Sequence, residues 1–234
     1  MFRVHQGSSQ IETGVGDDEA VAGFDPRAKR REGLPNVIVE LDPVTGAELN
    51  RFATPEPISA NGDGLAFDGT TLYFINGLGT HTLYRLDPNT GAVISSDVIP
   101  QPGNERYDGL AVLNGLIYIK DSNNDDVLVY DPALGGVSLV LDVDGLNSGT
   151  NLSGGLAAAS GPDRIIATVA NGLSVIEINP STGLITNTFT PPAPQAGTYT
   201  GVGVLEDLIY LGSNRVTSGT AFGVTTTLDV FDRN

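Results

Sequence analysis

Asp42-Pro43-Val44-Thr45-Gly46, Asp87-Pro88-Asn89-Thr90-Gly91, Asp131-Pro132-Ala133-Leu134-Gly135 and Asn179-Pro180-Ser181-Thr182-Gly183 are near-copies of one five-residue turn. Each joins an alternating apolar run to another, as where Leu83-Tyr84-Arg85-Leu86 leads in and Ala92-Val93-Ile94 leads out. This is β-hairpin chemistry: the Asp or Asn side chain caps its own turn, Pro presets φ, and Gly takes the left-handed position that closes the loop. The turns start 45, 44 and 48 residues apart. A period of that size marks a stacked or circular array.

Working outward, a second word recurs: Asp63-Gly64-Leu65-Ala66-Phe67, Asp108-Gly109-Leu110-Ala111-Val112, Gly154-Gly155-Leu156-Ala157-Ala158 and the degenerate Thr200-Gly201-Val202-Gly203-Val204. After each comes a strongly β-forming run: Leu72–Ile75, Leu116–Ile119, Arg164–Ala167 and Leu208–Leu211. The repeat is therefore four strands. Its first strand is small and apolar, which suits a crowded axis, and its later strands carry the aromatic and β-branched residues that fill widening space between sheets.

With Asp-Gly-Leu-Ala and Leu-Asp-Pro-x-Thr-Gly on a period of about 45 residues, the chain over residues 36–234 resembles the repeats of bacterial β-propellers of the NHL, YVTN and quinoprotein-like kind. The resemblance implies an all-β propeller. It implies little about activity, since such propellers serve as hydrolases, lyases and binding modules. The expected architecture is a single domain of five four-stranded blades in residues 35–234, with an incomplete ring inside a longer protein as the rival account. Residues 1–34 form an irregular segment that is part of the first blade. The last repeat ends at its third strand, Thr227–Phe231, so Phe2-Arg3-Val4-His5 is expected to supply the outer strand and close the ring. Thr13-Gly14-Val15-Gly16 reads as a decayed inner strand of the first blade.

Bulk composition narrows the function classes. A chain of 234 residues can bury roughly 70–75% of its unfolded surface. Thirty Gly and fourteen Pro with no Trp fit turns and strands, and the absence of Cys excludes disulfides and thiolate chemistry. Twelve basic against twenty-eight acidic residues, a net charge of −16, make nucleic acid and anionic membranes poor partners. The basic run Arg27, Lys29, Arg30 and Arg31 lacks aromatic platforms and reads as a solvated loop. No stretch approaches the ~18 apolar residues of a membrane span, and residues 1–7 lack a secretory apolar core. Either the protein stays inside the cell or this chain is a mature or excised part of a longer one; richness in Gly, Thr, Ser, Asn and Asp with scarce Lys favours the second, an extracellular, periplasmic or cell-surface protein with protein partners in a larger assembly.

Two groups of residues are candidate Ca²⁺ ligands. Asp63 and Asp108 precede inner strands, which in a propeller places them at one mouth of the central channel, near Asn61, Glu105 and Tyr107, with Ser153 and Thr200 in equivalent places. A ring of oxygens about an axis suits a hard cation. In the regucalcin and gluconolactonase-like hydrolases a metal in this place activates water; this chain departs from that pattern, since the ring dwindles from Asp to Ser and Thr and no Glu/Asn/Asn/Asp set matches residue by residue. The alternative is that both aspartates cap backbone N–H groups. Asp121, Asn123 and Asp125 have the D-x-N-x-D spacing of a calcium loop. Asp126 where Gly is required and Pro132 where a bidentate Glu is required exclude an EF-hand, leaving a looser site or a plain acidic turn.

Nucleophilic catalysis is poorly supplied. His5 and His81 are the only histidines, no Gly-x-Ser-x-Gly elbow occurs, and Gly77-Leu78-Gly79 is too short for a dinucleotide fingerprint. No catalytic residue is assigned. The reading is a non-enzymatic binding or structural module. The alternative is a metal-dependent hydrolase or lyase with Asp63 and Asp108 holding a cation over the channel.

Overall fold

A strand with one face committed to a neighbour must find a second sheet, and this chain solves that by packing a series of antiparallel sheets face to face. The structure, a computed structural model, describes residues 2–5, 37–56, 63–76, 80–100, 103–169, 174–191, 198–206, 208–217 and 223–232. The first sheet is Phe2–His5 (β1), Val37–Leu41 (β2) and Glu48–Ala53 (β3). The second is Asp63–Phe67 (β4), Leu72–Asn76 (β5), Thr82–Leu86 (β6) and Val93–Val98 (β7); the third is Tyr107–Leu113 (β8), Leu116–Asp121 (β9), Asp126–Asp131 (β10) and Gly136–Asp142 (β11). After the single turn of helix Val143–Leu146 (α1), the fourth is Leu152–Ala159 (β12), Arg164–Val169 (β13), Ser174–Ile178 (β14) and Ile185–Phe189 (β15). The last is Thr198–Leu205 (β16), Leu208–Thr217 (β17) and Gly223–Asp232 (β18).

The recurring turns behave as their residues dictate. Asp42 Oδ1 accepts from the Val44 N–H at 2.9 Å and the Thr45 N–H at 2.7 Å, and Asp87 Oδ1 accepts from the Asn89 and Thr90 N–H groups, both at 2.9 Å. Asn179 repeats the pattern with Ser181 and Thr182. Gly46, Gly91, Gly135 and Gly183 have φ between +66° and +75°, where a Cβ would be strained. All four hairpins carry a register shift beside the turn, after Glu40, Arg85, Val129 and Glu177, a bulge that sharpens the twist of the outer strand.

The inner strands β4, β8, β12 and β16 stand side by side, which makes the fold a β-propeller. The hydrophobic core is divided among the spaces between consecutive sheets. Ile38 meets Leu72, Phe74 and Leu86 between the first and second; Tyr73, Ile75 and Leu83 meet Leu110, Ile117 and Tyr130 between the second and third. Val127, Val129 and Leu141 meet Ile165, Ala167 and Ile176 next, and Ala157 and Ile166 meet Tyr199, Ile209 and Leu211 last. Each fully buried Leu or Ile contributes about 1.5–3 kcal/mol.

Two expectations are corrected. Among the described residues three sheets have four strands and two have three, and four sheets, not five, present an inner strand at the axis. Phe2–His5 is not the outer strand of the last sheet: it pairs with β2, Arg3 opposite Val39 and Val4 opposite Ile38. It lies against β4 as β5 lies against β8 and β13 against β16, the second-strand position of a blade. The edge of β2 offers Phe2–His5 an apolar alternating partner. Thr13–Gly16 lies outside the described residues.

At the axis the spacing is too small for side chains. A Cβ on Gly155 would stand 2.6 Å from the Val202 backbone nitrogen, and one on Gly64 would stand 2.7 Å from Leu110 Cγ, whereas one on Gly201 would meet nothing within 4 Å. Gly155→Ala is therefore expected to cost about 1–3 kcal/mol, while Gly201→Ala, at the equivalent repeat position, stays within about 0.5 kcal/mol of the parent. Urea titrations of the two variants check the contrast; equal midpoints would contradict it.

Candidate functional site

At the mouth where the inner strands begin, Asp63 opens β4 opposite Asn76, and Asp108 lies on β8 with its side chain 8% exposed. Asp108 already holds a cation, and it is an ammonium. Lys120, 0% exposed on β9, places Nζ 3.0 Å from Asp108 Oδ1 and donates to the Gly154 carbonyl. Arg106 Nε lies 3.1 Å from Asp108 Oδ2, and the Ser122 hydroxyl donates to Oδ1. The Gly154 carbonyl belongs to the bulge between Ser153 and Leu156, where Gly154 takes φ +66°. Burial pushes the Lys120 ammonium below its ordinary pKa, and Asp108 opposes that shift. The group thus ties the third sheet to the fourth by a buried, charge-assisted network. Thr200 is exposed, and Asn61 lies outside the described residues.

Removing one member of a buried pair strands the other's charge. Lys120→Met should destabilise by about 3–5 kcal/mol, and Lys120→Met/Asp108→Asn should recover much of the loss in chemical denaturation. A double variant no better than the single would show that the pair is not coupled.

The acidic loop splays its expected ligands. Asp121, 1% exposed, accepts from the Arg106 N–H at 2.9 Å, the Asn123 N–H at 3.0 Å and Asn124 Nδ2 at 2.6 Å. Asn123 Nδ2 donates to the Asn104 carbonyl at 2.6 Å, and Asp125 accepts from the Leu152 N–H at 2.7 Å, bridging to the fourth sheet. These side chains fasten loops, the work that Asx residues do in turns. The carboxylates that do converge are Asp126, Asp142 and Asp144, whose oxygens lie within 4.8 Å of one another and could take a divalent ion. Asp126 and Asp142 face each other across β10 and β11. Sequence spacing missed this trio because cross-strand register, not loop order, assembles it.

Burial and then the Asp142 charge push the Asp126 carboxyl up to about 6. An unfolded aspartate loses its proton near 3.9, so the folded state binds the extra proton between about pH 4 and 6 and stability falls as pH rises through that window. Asp126→Asn should raise the melting temperature in metal-free buffer at about pH 7.5 and give no gain at about pH 4. A gain of equal size at both would contradict this.

At the opposite end of the inner strands lies a cavity of about 780 Å³, within the roughly 300–1,000 Å³ typical of ligand pockets. Its wall is built from equivalent inner-strand segments, Leu65–Phe67, Leu110–Val112, Leu156–Ala158 and Val202–Leu205, joined by Glu40 of β2, the Pro88-Asn89 turn and Tyr210 of β17. The legible signal was the recurring Leu-Ala word, whose residues alternate between interblade packing and the axis.

His81 is remote from this wall. It is 8% exposed with φ 54°, stacks edge-on against Tyr107 at a centroid distance of 5.2 Å, and leaves Nδ1 buried without a hydrogen bond. Three tyrosines pack with hydroxyls tied at their edges: Tyr73 donates to Asp68 Oδ2 at 3.0 Å, Tyr107 to the Pro100 carbonyl at 2.6 Å and Tyr199 to Asp229 Oδ2 at 2.8 Å. Among the described residues no helix is long and apolar enough to cross a membrane.

Comparison with known proteins places the fold. No protein-family model matches the sequence, and no curated protein sequence matches it. Myxococcus xanthus glutaminyl cyclase is similar with a TM-score of 0.56 and 18% identity over 84% of each chain. Kuenenia stuttgartiensis hydrazine synthase gives a TM-score of 0.48 and 15% identity over 72% of this chain and 45% of that one. BamB from Moraxella catarrhalis gives 0.37 and 17% over 82% and 66%. The likeness to the Myxococcus enzyme is one of fold alone, β-propeller to β-propeller.

Proposed function

We propose that this protein is a non-enzymatic binding module, an extracellular or surface-associated propeller that works in a larger assembly and takes a ligand at its axis. The observation that carries the reading is the axial cavity. Its wall combines Leu, Ala and Val side chains of the inner strands with Glu40, Thr70 and Asn89, and among its described lining residues there is no histidine, no Ser or Cys nucleophile and no pair of carboxylates. Acid–base or covalent chemistry needs such groups within hydrogen-bond reach of one another. The buried charges elsewhere, Lys120 and Asp108, neutralise each other inside an interblade seam and have a structural task. A net charge of −16 suits a soluble surface and basic partners. The competing reading is a hydrolase or lyase using Ca²⁺ over Asp63 and Asp108. Cyclisation like that of the similar Myxococcus enzyme would call for an acid–base pair, for which the described cavity wall offers only Glu40 and Tyr210.

The neutral apolar dye Nile red tests the proposal. Its fluorescence should rise on binding the parent protein, and Ala158→Phe, which fills the cavity from its wall, should weaken binding at least about tenfold, or 1.4 kcal/mol, with circular dichroism unchanged. Equal dye binding by both proteins would overturn the axial site. Ca²⁺-dependent lactone hydrolysis that Asp63→Asn abolishes would overturn the non-enzymatic reading.

A further inference from the structure

Resting on that axial reading, we infer that the ligand is an apolar molecule carrying an ammonium group, seated with its cation on Glu40. Glu40 lies two residues after Ile38 on β2 and so shares its face, and Ile38 packs against Leu72, Phe74 and Leu86 of the second sheet. The carboxylate therefore faces inward and contributes to the cavity wall. Four other acids are satisfied internally: Asp97 by Arg85 at 2.6 Å, Glu48 by Arg51 at 2.5 Å, Asp108 by Lys120 at 3.0 Å, and Asp68 by Thr70, Thr71 and Tyr73. Among the described residues the Glu40 carboxylate, unlike its backbone in the ladder with Phe2 and Asn50, has no hydrogen-bond or ion-pair partner, and no Lys or Arg lines the cavity.

A single carboxylate in a described wall that mixes apolar side chains with Thr70 and Asn89 sets the ligand's sign. Fewer waters screen it than on open surface, so its attraction for a cation and its repulsion of an anion are both strengthened. Leu65, Leu110, Leu156 and Val202 offer dispersion contact to a hydrocarbon body. Tyr210 adds a group of the right kind. It is 4% exposed and in the wall, and its hydroxyl has no partner among the described residues, unlike those of Tyr73 and Tyr199. Its ring or its oxygen can face an ammonium. The net charge of −16 draws cations toward the molecule from solution.

The test is displacement of bound Nile red by n-hexylammonium, hexan-1-ol and hexanoate, which share one apolar body and differ in charge. Hexylammonium should displace the dye at concentrations about tenfold below those of hexanol, with hexanoate weakest. Glu40→Gln should bring hexylammonium level with hexanol and narrow the gap to hexanoate, each displacement being read against the variant's own Nile red affinity. Should that variant fold poorly, the parent still decides: the preference for hexylammonium over hexanol must shrink as salt is raised. Equal displacement by hexylammonium and hexanol at low salt overturns the inference while leaving the axial site standing. Failure of Nile red to bind at all overturns both.

Discussion

The close approach of neighbouring inner strands governs the rest. Where inner strands meet, a methyl group on Gly155 would collide with the backbone of Val202, and one on Gly64 with the side chains of Leu110 and Ile75. Sheets can converge that tightly only if the converging strands carry almost nothing, and they diverge outward into space that must then be filled. The gradient from Gly and Ala at the axis to Tyr, Phe, Ile and Leu between the second and third strands follows from that geometry. Packing is shared among successive interblade seams, each the size of a small core, so no central core exists and the axis is free to hold a cavity.

Charge is arranged to the same plan. The molecule is strongly acidic, yet its most buried carboxylate pairing, Asp108 with Lys120, is neutral and lies in a seam where a bulge in β12 turns the Gly154 carbonyl toward the ammonium. At the same position of the other second strands stand Ile75, Thr168 and Gly212, opposite Gly64, Ser153 and Gly201. One repeat has exchanged an apolar filler for a cation and supplied its counter-charge from the facing strand. The ring of oxygens imagined from sequence has an internal cation at one of its members. Asp42, Asp87 and Asp131 sit at turn starts, where backbone N–H groups are their partners.

The Asp-Pro-x-Thr-Gly hairpins, the extents of β4 and β8, the small inner word and the all-β character were legible because each rests on local chemistry: a capping carboxylate, a fixed φ, a left-handed glycine, a period of two. The place of Phe2–His5 was not legible, since a short alternating strand fits any open edge and only the competition among edges assigns it to β2. The metal candidates illustrate the same limit. Asp121, Asn123 and Asp125 are neighbours in sequence, yet their side chains point to different loops, whereas Asp126 and Asp142 are sixteen residues apart and stand opposite each other.

What the amino-acid sequence determined by itself is thus the repeating unit, because turns and strand alternation are set by residues within a few positions of one another. The tertiary structure alone decided how many inner strands reach the axis, which charges neutralise which, and that Glu40 shares a cavity wall with residues more than a hundred positions away. Those are matters of register and of packing between sheets, where the partners are chosen in space by shape and by charge, and distance along the chain carries no information.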